Sequence, residues 1–287
     1  MKRNKRVNSF KSIIKNATTS VRSSSHVRNY KPTNYIHHNS HYEILIIKKG
    51  GGVHSIDFNE YPVVDNQIFF LRPGQMHKFS PASDAEFYFV AINQNEIELN
   101  SNILLSQFDF FKSFNSLGYV LLDSVDDLIN VVKTIQFQLT PLNKKLAHQD
   151  IVVSSYIVVL LIQIQRCYSE FKKKLKIKTV YSSVVVEFNK LIEDNSISKR
   201  FVKDYAKLLF VSSNYLNERV KLETGKPASY WINNSLIIQL KKILIQTTKS
   251  LKEIAVEFGF TSSTHLVRFF KTNQAITPQV FRKKFTF

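Results

Sequence analysis

Val211-Ser212-Ser213-Asn214-Tyr215-Leu216 and Thr261-Ser262-Ser263-Thr264-His265-Leu266 are two versions of one short pattern, and each leucine is followed five residues later by a lysine, Lys221 or Lys271. Both fit the start of a helix that follows a tight turn. The second copy is the more fully specified. Ile254-Ala255 ends a short amphipathic run, Gly259 follows, and Thr261 or Ser262 stands where a hydroxyl can cap the next helix. A small residue where two helices cross, a residue that tolerates positive φ in the turn and a hydroxyl for the orphan N–H groups are the demands of a helix-turn-helix. Two such units on a basic background point to a protein that reads duplex DNA.

The charge is unevenly spread along the 287 residues, whose formal total is +18. Residues 1 to 31 hold nine Lys/Arg and no acid, residues 32 to 170 hold nine against fourteen acids, and residues 171 to 287 hold twenty-two against eight. A basic C-terminal block beside an acidic middle assigns the polyanionic partner to the C-terminal part. The 44% apolar content suffices for two cores. Cys167 stands alone, so no internal disulfide forms and a reducing compartment is expected. The N-terminus has no apolar run beyond Ile13-Ile14, and the longest uncharged stretch, Ile151 to Gln165, is fifteen residues. A membrane span needs roughly 20 apolar residues, so neither a signal peptide nor a span is expected and the protein is read as cytoplasmic.

Residues 1–31 read as a disordered basic arm. Residues 32–95 carry short apolar runs separated by turns at Gly50-Gly51-Gly52 and Pro73-Gly74, a succession of strands in an all-β sandwich or barrel. Residues 96–178 turn helical, notably Leu128 to Leu139 and Asp150 to Lys172. The second of these is apolar nearly all round and needs cover on more than one side. Val153, Ile157, Leu160, Ile164, Cys167 and Phe171 alternate four and three apart, the spacing of a seam between paired helices, which predicts a dimer contact along that stripe. The alternative is a helix buried within one monomer. Lys172 to Lys178 reads as a boundary, and residues 179–287 as an all-α domain with two helix-turn-helix lobes joined by the helix from Ser229.

Within that last stretch the chain resembles the AraC/XylS family of bacterial transcription regulators. The matching residues are S-x-x-Y-L at Ser212 to Leu216, E-T-G-K at Glu223 to Lys226, E-I-A-V-E-F-G-F at Glu253 to Phe260, Arg268 with F-F-K behind it, and I-T-P-x-x-F-R at Ile276 to Arg282. The resemblance implies two lobes that each place a recognition helix in the major groove. Successive groove windows lie ~34 Å apart, a separation one connecting helix can hold. It places base-reading roles on Ser213, Asn214, Asn217 and Glu218 in the first lobe and on Ser263, Thr264 and Arg268 in the second. Phosphate contacts are assigned to Lys221, Lys226, Lys271 and Arg282 and to helix N-termini. Glu218 departs from the family's usual Arg, with the basic residue displaced to Arg219; Leu236 departs from another Arg and Ala275 from a Gly. The second lobe is therefore expected to carry the stronger base readout.

In the β-domain, His37-His38-Asn39-Ser40-His41-Tyr42-Glu43 and Arg72-Pro73-Gly74-Gln75-Met76-His77 resemble the two motifs of a cupin barrel. The metal-ligand positions of that family fall on His37, Asn39, Glu43 and His77. A carboxamide oxygen is a poor ligand beside imidazole, so the set has lost a strong donor and no metal or other cofactor is expected. The four residues remain as an effector pocket among inward-facing side chains. The expected protein is a non-enzymatic, dimeric, sequence-specific regulator that binds double-stranded DNA, with RNA polymerase as a candidate partner and a small molecule as candidate effector. Two other readings stand beside it: a constitutive regulator whose barrel is only a dimerisation scaffold, and a metal-dependent cupin enzyme fused to a DNA-binding domain.

Overall fold

The computed structural model describes residues 19–24, 37–112, 117–143, 146–176, 181–195 and 199–285. The chain divides into two compact units with the boundary between Ile177 and Lys178.

Among the described residues the N-terminal unit has nine strands: β1 (Ser20–Ser23), β2 (His37–His38), β3 (Tyr42–Lys49), β4 (Gly52–Ile56), β5 (Asn59–Pro62), β6 (Gln67–Leu71), β7 (Met76–Pro81), β8 (Glu86–Ile92) and β9 (Tyr119–Leu121). They form two antiparallel sheets, ordered β1-β8-β3-β6-β9 and β2-β7-β4-β5. The first sheet is covered on both faces, which is why β3 and β6 read as continuous apolar runs rather than alternating ones. Leu45, Ile47, Phe69 and Leu71 turn towards the second sheet and meet Ile56 and Phe79. Ile44, Ile46, Ile68 and Phe70 turn the other way, onto the helices. Gly52 permits the crossing into β4: its φ is +91°, and a Cβ there would lie 2.1 Å from the Ser80 carbonyl oxygen.

Two boundaries differ from the sequence reading. Ser20–Ser23, counted with the basic arm, is a strand paired with β8 in the register Ser20 to Ala91, and the Thr19 N–H donates to Glu96 at 3.0 Å. A short polar segment joins a sheet when an edge offers it partners. Residues 1–18 and 25–31 of the arm lie outside the described ones. Likewise β9, within the stretch read as helical, pairs with β6.

Behind the first sheet lie α1 (Gln94–Ser101), α2 (Asp126–Gln138) and α3 (Gln149–Lys174). The predicted intermolecular seam on α3 is corrected here. Val153, Ile157, Leu160 and Ile164 are buried in the core of their own unit with Phe70, Val90 and Val132, while Cys167 and Phe171 are half-buried. The helix is long and apolar enough by composition to cross a membrane, and this packing accounts for its apolarity. Its exposed apolar residues are instead Ile151, Tyr156, Val159 and Ile162.

The C-terminal unit contains α4 (Ser183–Asn195), α5 (Val202–Leu208), α6 (Ser213–Thr224), α7 (Ala228–Gln246), α8 (Leu251–Glu257), α9 (Ser263–Gln274) and α10 (Pro278–Phe285). Helices α5–α6 and α8–α9 are the two helix-turn-helix units. The rod α7 spans about 28 Å at 1.5 Å per residue and buries Ile232, Leu236, Leu240 and Leu244. Leu236, where the family carries Arg, is thus a core residue. Phe270 of α9 packs on Phe281 of α10 with ring centroids 5.5 Å apart.

Capping explains where the recognition helices begin and end. Ser212 Oγ accepts from the Tyr215 N–H and Ser262 Oγ from the His265 N–H, each at 3.1 Å. Ser250 and Glu253 form a capping box at the start of α8. Gly225 ends α6 in the left-handed region at φ 76°, and Ala275 ends α9 there at φ 59°. A Cβ in this region costs about 1 kcal/mol. Ala275→Gly is therefore expected to raise thermal stability by a few degrees, measured by calorimetry of the full chain, and a lower Tm would refute it.

Candidate nucleic-acid interface and effector site

The two recognition helices have the same exposure at equivalent positions through their first ten residues. In α6, Asn214, Glu218 and Lys221 are exposed while Leu216 and Val220 are buried; in α9, Thr264, Arg268 and Lys271 are exposed while Leu266 and Phe270 are buried. One stripe at i, i+4 and i+7 is thus free on each helix, and the opposite stripe anchors it. Ser213 and Ser263 are half-buried in the first turns. Arg268 has no hydrogen-bond or ion-pair partner among the described residues.

Asn217 sits between stripes, half-buried, with its Oδ1 buried and without a partner. Arg219 is engaged in the fold: its Nε lies 2.6 Å from Glu223 Oε1, and Glu223 also accepts the Ser182 N–H at 2.8 Å. Lys226 is exposed, its Nζ 5.6 Å from the Tyr230 ring centroid. Arg282 departs from the phosphate-contact expectation. Its Nε donates to the Leu244 carbonyl at 2.9 Å and its Nη2 to the Lys249 carbonyl at 2.7 Å. A carbonyl of the last turn of α7 and one just beyond its end are natural targets for a planar fork, and burial holds its pKa below the ordinary arginine value.

Sequence reasoning missed Arg200. From just before α5 its Nη1 donates to the Gly259 carbonyl in the turn of the second lobe at 2.9 Å, and its guanidinium carbon lies 3.7 Å from the Phe260 ring centroid. Burial lowers its pKa too. Nothing local around Lys199-Arg200-Phe201 signals a contact 59 residues away.

In the β-domain the structure brings His37, Asn39, Glu43 and His77 together and adds His41 and His54. Strand pairing does this: His37 lies opposite His77, and Ile56 lies opposite His77 on the other side, which sets His54 beside it. Asn39 Nδ2 donates to Glu43 Oε1 at 2.7 Å and lies 3.2 Å from His77 Nε2; His41 Nε2 is 2.9 Å from Glu43 Oε1. The His37 and His77 ring centroids are 4.4 Å apart. Burial pushes both His54 and His77 down to about 3, with Glu43 opposing this at His77. Burial works to raise the pKa of Glu43, but the His41 hydrogen bond and the neighbouring imidazoles outweigh it and hold the carboxyl below its ordinary value.

The residues do not fit a metal site. The Asn39 amide directs its N–H groups at Glu43 and His77, where lone pairs would have to meet a cation. No group of three or more His, Cys, Asp or Glu among the described residues is placed to hold a metal ion.

A domain of two facing sheets with a polar cluster between them, followed by two helix-turn-helix units on one rod, is the build of a DNA-binding transcription regulator with an N-terminal ligand-binding domain. The AraC-like ligand binding domain matches residues 23–127 and a helix-turn-helix domain matches residues 205–284, and the chain belongs to the AraC family of transcriptional regulators. The chain is 25% identical to the HTH-type transcriptional regulator YfiF of Bacillus subtilis over 252 residues, 86% of this chain and 78% of that protein. It is 19% identical to the HTH-type transcriptional activator RhaR of Mannheimia succiniciproducens, covering 90% of each. Among solved structures, ToxT from Vibrio cholerae aligns with 94% of this chain and 99% of its own at 15% identity, TM-score 0.45.

Proposed function

We propose that this regulator reads base edges with Ser213, Asn214 and Glu218 of α6 and with Ser263, Thr264 and Arg268 of α9, while Lys221, Lys226 and Lys271 engage phosphates. The observation that carries the proposal is the matched exposed stripe on the two helices. Arg is suited to guanine and Asn to adenine, while Glu218 accepts from the amino group of cytosine. Asn217 contributes through Nδ2, since its oxygen is turned inward. The polar cluster of the β-domain holds a small effector whose unequal affinity for two states biases DNA binding. The protein acts in the cytoplasm, with RNA polymerase as its further partner.

Retention of genomic fragments by the purified chain at fixed salt tests the DNA reading, because phosphate-driven affinity depends on salt. A defined site of about two helical turns is expected. Uniform, salt-sensitive retention of every fragment would show charge without readout and end the assignment.

The same proposal includes a homodimer, on the face of α3 opposite the one read from sequence. Ile151, Tyr156, Val159 and Ile162 form an exposed stripe along that helix, and a second copy of the chain offers the same stripe to cover it. Val159→Glu is expected to shift the full chain from dimer to monomer in light scattering. A dimer unmoved by Val159→Glu and Ile162→Glu together would place the contact elsewhere.

A further inference from the structure

The polar cluster in the β-domain allows one consistent placement of its protons, and that placement bears on the chemistry of the effector; it rests on the effector reading above. Glu43 Oε1 accepts from Asn39 Nδ2 at 2.7 Å and from His41 Nε2 at 2.9 Å. The Asn39 amide cannot be turned over, because its oxygen would then face the carboxylate at 2.7 Å. Its second N–H therefore points at His77 Nε2, 3.2 Å away, and makes that nitrogen an acceptor. A neutral His77 then carries its proton on Nδ1, which faces His54 Nε2 across 3.5 Å. His54 is in turn protonated on Nδ1, which is buried without a partner.

His41 Nδ1, across the ring from the nitrogen that serves Glu43, is left without a donor, and so is Glu43 Oε2. That oxygen is buried with no hydrogen bond and lies 3.5 Å from His77 Nε2. His77 Nε2 already spends its one lone pair on the Asn39 amide, so the carboxylate oxygen has no donor on that side. A buried lone pair of this kind is costly unless a donor reaches it.

The geometry points to a protonated amine as the group this site receives. We infer that the effector is a small amine-bearing molecule whose ammonium donates to Glu43 Oε2. His37, Asn39 and His41 beside it are half-buried. An ammonium brings three donors and the compensating charge. A hydroxyl brings one donor and no charge, and a carboxylate or phosphate would meet Glu43 as a like charge.

The test uses the full chain at pH 8, above the ordinary imidazole range, with butylammonium and phenethylammonium as probes and butanol, butyrate, Zn²⁺ and Mn²⁺ as controls. The amines are expected to raise the Tm of the β-domain, with butanol weaker and butyrate without effect. Glu43→Gln should abolish the amine effect. Amines silent on the wild type, or an amine response that persists in Glu43→Gln, would overturn the inference. A response to Zn²⁺ or Mn²⁺ with silent amines would overturn it in favour of a metal. Amines that bind yet leave DNA retention unchanged would uphold the site while removing its role as a sensor.

Discussion

Arg268→Ala is expected to relax base preference at one position of the bound site by about 1 to 3 kcal/mol, roughly five- to 150-fold. The side chain stands on the exposed stripe of α9, one turn beyond Thr264, and has no intramolecular partner among the described residues. Its guanidinium is therefore available to the O6 and N7 of a guanine. The contrast with Lys271 makes the measurement specific. Lys271→Ala should weaken every sequence alike and reduce the slope of log affinity against log salt by about one. Selection of binding sites from a random library reads both quantities. A selected-site profile for Arg268→Ala that superimposes on the wild type would show that the residue contacts backbone only, and the weight of readout would pass to α6.

The second large effect concerns acid. His54 and His77 are buried as neutral imidazoles, pushed down to about 3 from an ordinary 6.5. Between those values the unfolded chain binds protons that the folded chain refuses. Stability is thus fully present above pH 6.5 and falls as pH drops below it, by up to about 1.4 kcal/mol per pH unit for each histidine. Glu43, held below its ordinary value of 4.5, adds a loss of the same sign that begins as pH falls through that value. His37, His41 and Glu43 are the titratable neighbours that face the pair. From pH 7.5 to 5 the loss should be about 2 to 4 kcal/mol, visible as a falling Tm of the β-domain in circular dichroism. His54→Phe, with Phe69 and Phe79 already packed edge-on around that ring, should roughly halve the slope. Parallel curves for the two proteins would exclude His54 as a source.

The DNA-binding half was legible because its signals are local. Ser212, Gly225, Ser250, Glu253 and Ser262 act on backbone groups within four residues of themselves, so spacing alone places the helices. The strands of the β-domain were legible from turn residues for the same reason. Phase was harder. Helix α3 is apolar on two faces, and periodicity cannot say which of two stripes meets the chain's own sheet; Val153, Ile157, Leu160 and Ile164 do. His54 was invisible because only the pairing of β4 with β7 brings it to His77. Arg282 was read as a cation when its geometry as a fork decided its place.

The reach of Arg200 to the Gly259 carbonyl and the Phe260 ring makes the two lobes less modular than their repeated pattern implies. A side chain that belongs by sequence to the first lobe completes the turn of the second. Duplicated units of this kind can diverge in the bases they prefer, through the stripes of α6 and α9, with that shared bolt intact. A hybrid that borrowed its second lobe from a relative lacking an aromatic residue after the turn glycine would carry a cation with its ring removed, and the recombination point that respects the fold lies before Arg200 rather than within α7.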